Sequence, residues 1–156
     1  LDELKSYHLP TYEHSVRVAL LGIDLGLEYA RPAQDILALG LGGLYHDIGK
    51  LDMPLYLLEK TAALTVMEKT LIREHPRLGY IRLHGFPGDV LAIVVGHHEL
   101  KKEAYPRGTK DRRHTGRGED RRLDNGSPRL VDMVAIADIT DALENARSYK
   151  PALGKD

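Results

Sequence analysis

The chain has 156 residues, with 22 Lys and Arg against 23 Asp and Glu and a formal net charge of -1. That length fits one domain with a single packed core, and charge so nearly balanced says little about partners. The absence of cysteine excludes disulfides and thiolate metal sites, and no apolar run approaches the ~18 residues of a membrane span. The start lacks a signal-peptide pattern, and a cytoplasmic location is expected. The first residue is Leu rather than Met, so the chain is expected to be part of a longer one.

Helical periodicity dominates, and alternating strand patterns are nearly absent. A first helix is predicted over residues 11 to about 30. Val16, Val18, Leu20, Ile23 and Leu27 make its apolar face, and His14 lies in its first turn. Pro32 suits a first helical position and opens a second helix, whose run 36–41 reads as core. It leads into the stretch Leu44-Tyr45-His46-Asp47-Ile48-Gly49-Lys50, where Gly49 suits a C-cap with positive φ. Residues 53–63 read as an irregular connector with one short turn. Thr65-Val66-Met67-Glu68 then has the form of a capping box, opening a helix that reaches His75-Pro76. Periodicity resumes through Leu78, Ile81 and Leu83, and residues 90–95 begin a helix ending in His97-His98-Glu99. Between residues 100 and 122 lies a polar stretch with nine Lys or Arg against four Asp or Glu. With little apolar area to offset an ordering entropy of roughly 1–2 kcal/mol per residue, residues Gly108 to Asn125 are expected to be mobile or poorly packed without a partner. Ser127-Pro128 caps a last helix from about 129 to 146. The expectation is an all-α, single-domain helical bundle over 1–156 with one long basic loop at about 100–126.

Five of the eight histidines fall at helix ends or beside apolar faces: His14, His46, His75, His97 and His98. Singly, each has an ordinary reading as an exposed first-turn residue, a helix end or a polar cap. Their joint pattern points to a metal centre. A carboxylate beside an imidazole at the end of a buried helix is costly unless a cation compensates. Neutral imidazole and carboxylate are good ligands for zinc, iron or manganese. In the last helix, three- and four-residue steps place Val131, Val134, Asp138 and Ala142 on one side, so Asp138 points into the core while Asp132 is solvated. Helical bundles build carboxylate–histidine metal sites in this way.

The chain resembles the HD superfamily of metal-dependent phosphohydrolases, and within it the HD-GYP branch. The match runs from His14-Ser15-Val16-Arg17-Val18 through residues 46–50, Glu74-His75-Pro76 and His97-His98-Glu99. It continues to residues 137–143 and Arg147-Ser148-Tyr149-Lys150. The resemblance implies an HD-type bundle and a phosphodiesterase that opens cyclic di-GMP to the linear dinucleotide, and onward to GMP. It also implies two divalent ions, iron or manganese. One would take His14, His46, Asp47 and Asp138, the other His75, His97 and His98, with Asp47 bridging. Some members hold a third metal through a glutamate at the position of Pro10 here, so two metals are expected. Catalytic roles would fall to Asp47 and Lys50, and substrate contacts to Lys50, Tyr105, Arg147 and Lys150.

The branch's Asp-Gly-x-Gly-Tyr-Pro segment departs from the pattern, reading Lys101-Lys102-Glu103-Ala104-Tyr105-Pro106. Its lost glycines predict weaker substrate binding more than impaired chemistry. Two alternatives stand beside this reading. One is another HD-type hydrolase of nucleotides or phosphate esters. The other is a weakly active metal-binding module that docks a signalling protein through the 100–126 loop. That loop lacks interleaved aromatics, so a nucleic-acid contact is not expected. His8, His84 and His114 receive no role, and oligomeric state is not legible.

Overall fold

The computed structural model describes residues 1–98 and 128–149, with side chains of the last helix described as far as Asn145. Among these residues there is no strand. Helices α1 (Asp2–Tyr7), α2 (Leu9–Glu28) and α3 (Ala33–Tyr45) lead into a 3-10 turn (Ile48–Asp52). After it come α4 (Leu55–Leu58), α5 (Val66–Ile72), α6 (His75–Arg82), α7 (Gly88–Gly96) and α8 (Leu130–Tyr149). Tyr105, Lys150 and the 100–126 loop lie outside the described residues, as does the side chain of Arg147 in the last turns of α8.

Local chemistry accounts for several boundaries. Pro32 is the N-cap of α3 rather than its first residue. Thr65 Oγ1 accepts from the Glu68 amide while Glu68 reaches back to the Thr65 amide, completing the predicted capping box of α5. Pro76 sits in the first turn of α6, where no amide proton is needed, so α5 and α6 are separate helices. α2 begins two residues earlier than predicted because His8 caps it, which moves His14 into the second turn.

α2 packs on α3 and α8, α3 also on α7, and α6 on both α7 and the 3-10 turn. One apolar cluster joins Leu4, Ala38, Ile48, Leu83, Val90 and Val94, and a second joins Val18, Leu39, Ile93, Met133, Val134 and Ala137. The face α2 buries differs from the predicted one. Leu20 and Leu27 are more than half exposed, and Thr11, Ser15, Val18, Ala19, Gly22 and Gly26 turn inward instead. Close approach of α3 is the reason. A Cβ on Gly43 would stand 2.6 Å from the Ala19 Cα, so small residues line this seam and large ones are displaced outward. Leu37, within the run read as core, is exposed at the opposite side of α3.

Gly49 also departs from expectation. α3 ends at Tyr45, and Gly49 lies inside the 3-10 turn; Gly85 is the described glycine with positive φ. Glycine is required at position 49 by proximity: an added Cβ would collide with the His75 carbonyl and stand 2.5 Å from the Gly79 nitrogen. This contact seats the turn that follows Asp47 directly on α6, and so brings Asp47 to His75.

Candidate metal centre

Helix ends converge at one point. His46 and Asp47 follow α3, His75 opens α6, His97 and His98 follow α7, and Asp138 projects from the buried side of α8. His14 comes from α2 and is partly exposed; the other six are buried. Asp47 lies between two imidazole groups. Its Oδ1 is 3.1 Å from His75 Nε2, while its Oδ2 is 3.5 Å from His46 Nε2 and 3.8 Å from His14 Nε2. His14 Nε2 is also 3.2 Å from Asp138 Oδ1. Three sets, His14/His46/Asp138, His75/His97/His98 and His46/Asp47/His97, each gather their ligand atoms within 4.8 Å of one another.

Backbone carbonyls set the ring tautomers. His46 Nδ1 donates to Gly43 O at 2.8 Å, His75 Nδ1 to Ile72 O at 2.8 Å, and His97 Nδ1 to Val94 O at 2.9 Å. Each is the carbonyl three residues back, left open by a helix end. The proton is thereby held on Nδ1, and the Nε2 lone pair is turned inward. Burial pushes His97 well below the usual imidazole range, helped by the neighbouring imidazoles, and it lowers His46. Burial also takes His75 down to about 4, against the pull of Asp47. These rings are neutral at pH 7.

The consequence is an unmet demand for positive charge. His75 Nε2 stands 3.2 Å from His97 Nε2 and 3.3 Å from His98 Nε2, and His46 Nε2 is buried without any hydrogen-bond partner. The Nε2 lone pairs of His75 and His97, both with Nδ1 bonded to a carbonyl, repel at this distance unless a cation lies between them, and an unsatisfied buried acceptor costs about 1–3 kcal/mol. Burial pushes the Asp47 carboxyl up, but Lys50 and the surrounding imidazoles outweigh it and hold it well below the usual range. Asp47 is therefore an anion with two oxygens facing two nitrogen-rich sets. The donor set fits divalent transition metals.

Lys50 Nζ donates to Asp47 Oδ2 at 2.5 Å, so the lysine expected at the rim is anchored to the centre itself. One element of the site departs from the helical-wheel expectation. Asp141, not Ala142, continues the buried side of α8; Ala142 is exposed. Asp141 Oδ2 lies 2.6 Å from His14 Nδ1, and Oδ1 accepts from Arg17 Nε at 2.6 Å. A carboxylate on the far nitrogen orients a ligating imidazole and raises its basicity. The signal for it lies in the three-residue step from Asp138 and in Arg17 one turn after His14. Asp132, expected to be solvated, is half-buried and accepts from Arg129 at 2.7 Å.

Comparison with known proteins accords with this geometry. The HD domain family matches residues 11–143, which contain all seven converging side chains. The chain belongs to the HD-domain family. It is 32% identical over 154 residues to a cyclic di-GMP phosphodiesterase of Pseudomonas aeruginosa, covering 96% of this chain and 34% of that protein. It is 34% identical over 146 residues to a 3'3'-cGAMP-specific phosphodiesterase of Vibrio cholerae, covering 92% of this chain and 31% of that one. The HD-domain chain thus spans about a third of the length of these relatives. The crystal structure of the HD domain of the L. monocytogenes phosphodiesterase PgpH, in complex with cyclic di-AMP, shares the fold. Its TM-score is 0.59 at 18% identity, over 97% of this chain and 74% of that one. No helix among the described residues is long and apolar enough to cross a membrane.

Proposed function

We propose that this HD domain is a metal-dependent phosphodiesterase of the HD-GYP type, opening cyclic di-GMP to the linear dinucleotide. One observation carries the proposal: a buried carboxylate, Asp47, presents one oxygen to His75 of one set and the other to His46 of the second. His14, His46, Asp47 and Asp138 would hold one divalent ion, and His75, His97, His98 and Asp47 a second, with iron or manganese suited to this nitrogen and oxygen set. When bound, such a pair supplies an activated water at neutral pH and neutralises charge on a phosphoryl group.

The chain's own residues do the rest. Lys50, bonded to Asp47 and part-exposed, would donate to a phosphate oxygen or to the departing 3′-oxygen. Arg17 and Asp141 fix the His14 ring, with Arg17 keeping Asp141 ionised after burial has pushed that carboxyl up. Relatives named for cyclic di-GMP and for 3'3'-cGAMP support a cyclic dinucleotide as the substrate class.

Metal analysis of purified protein is expected to find about two equivalents of transition metal. Chelation should abolish hydrolysis, and Mn²⁺, or Fe²⁺ without oxygen, should restore it. Cyclic di-GMP, 3'3'-cGAMP and cyclic di-AMP are assayed side by side. Cleavage of 3'3'-cGAMP in preference to cyclic di-GMP would replace the substrate assignment. Metal-loaded protein that binds all three and cleaves none would make the domain a binding module.

Asp141→Asn tests the orientation of His14. Metal affinity should fall by roughly 10–100-fold while the fold survives, since the lost interaction lies behind the ligand. Metal titration followed by far-UV circular dichroism reads both; unchanged affinity would remove Asp141 from the centre.

A further inference from the structure

A cavity of about 320 Å³ opens beside the metal centre, with His14 and Lys50 on its wall. His8 and Lys60 line the same cavity, together with leucine and isoleucine side chains. Neither His8 nor Lys60 belongs to the ligand set, and local sequence pattern assigns His8 no role.

The His8 ring is turned the opposite way from the buried histidines. As N-cap of α2, its Nδ1 accepts from the Thr11 amide at 3.3 Å and lies 2.7 Å from Thr11 Oγ1. An Nδ1 that accepts leaves the ring proton on Nε2. Where His46, His75 and His97 keep Nε2 as a lone pair, His8, on the cavity wall, carries its proton on Nε2. Burial and the Lys50 charge keep the ring neutral at pH 7, so this tautomer persists. Lys60 is held at the same wall by Glu68, with Nζ 2.7 Å from each carboxylate oxygen. The ammonium has three donors, and the two contacts to Glu68 leave it capable of one more.

A cyclic dinucleotide carries two phosphates, and only one can be at the metals during hydrolysis. The adjoining cavity offers the other a place, since its apolar lining suits a base and its polar side chains suit an anion. We infer that His8 is a substrate-positioning residue, donating Nε2–H to the second, non-reacting phosphate beside Lys60. This inference rests on the proposed cyclic-dinucleotide activity.

His8→Asn separates the ring donor from the helix cap, because asparagine is itself a strong N-cap. His8→Ser, another capping residue without the ring, is the second variant. Mn²⁺-loaded proteins are assayed on a cyclic dinucleotide and on bis(p-nitrophenyl) phosphate, a diester with one phosphate. In both variants KM for the cyclic dinucleotide should rise about tenfold, the loss of one hydrogen bond to a charged group. The kcat/KM preference for the dinucleotide over the single diester should fall by the same factor, with melting temperature unchanged. A preserved preference in both variants would make His8 a cap alone and overturn the inference. Wild-type protein that cleaves the single diester but no cyclic dinucleotide would overturn the proposed function, and this inference with it.

Discussion

Asp47→Ala should remove metal and activity together. Asp47 is 2% exposed, and its two oxygens face the two imidazole sets at 3.1 and 3.5 Å, closer to the His75 set than Asp138, whose Oδ2 is 3.9 Å from His98 Nδ1. Without it each set keeps nitrogen donors, but the anion that offsets two divalent charges and links them is gone. Metal content measured by plasma mass spectrometry should fall to background after dialysis. Hydrolysis should drop by at least about a thousandfold, the scale of losing a principal electrostatic group. The fold should persist, because Lys50, released from Asp47, is part-exposed and can turn to water. Full metal retention in this variant would refute the bridging role. Asp47→Asn keeps the shape without the charge and should behave similarly, which separates charge from packing.

Gly49→Ala should be as damaging to stability as Asp47→Ala is to chemistry. The added methyl would meet the His75 carbonyl and the Gly79 amide, which are backbone atoms that no rotamer change can move. The 3-10 turn would have to lift from α6, separating Asp47 from His75 and opening the packing of Ile48. We expect a loss of about 3 kcal/mol or more, in the range of severe overpacking, and a melting temperature lower by roughly 6–12 °C. Metal affinity should fall with it. Gly88→Ala is the control, since nothing lies within 4 Å of its added Cβ and its φ is ordinary. A Gly49→Ala protein as stable and as metal-competent as Gly88→Ala would show that the turn adjusts without strain.

Both predictions concern a centre whose members are legible in the amino-acid sequence. Local patterns suffice for that: apolar periodicity marks the helices, Thr65 and Glu68 mark a start, and Asp138 stands out because its helical neighbours are aliphatic. Polar residues that are costly to bury identify themselves by the company they keep. Periodicity and burial cost point to the all-α class and to the polar side chains that need a shared cation.

What they leave open is how closely the helices approach, because that depends on partners distant in sequence. A helical wheel of α2 favours Leu20 and Leu27 as core. The approach of α3 at Ala19 and Gly43 instead demands small residues there and leaves those leucines outside. The same holds at Gly49, whose need for a bare Cα comes from α6 and not from its own φ. A wheel of α8 favours Ala142 over Asp141, because a one-residue shift in its buried side is set by where His14 and Arg17 stand on α2. The sequence by itself therefore marked the buried imidazoles, Asp47 and Asp138 through local burial cost, and left Asp141 unmarked. Only the tertiary structure decided which atoms of those residues face one another, since ring tautomers, carboxylate orientation and helix separation are properties of contacts between elements.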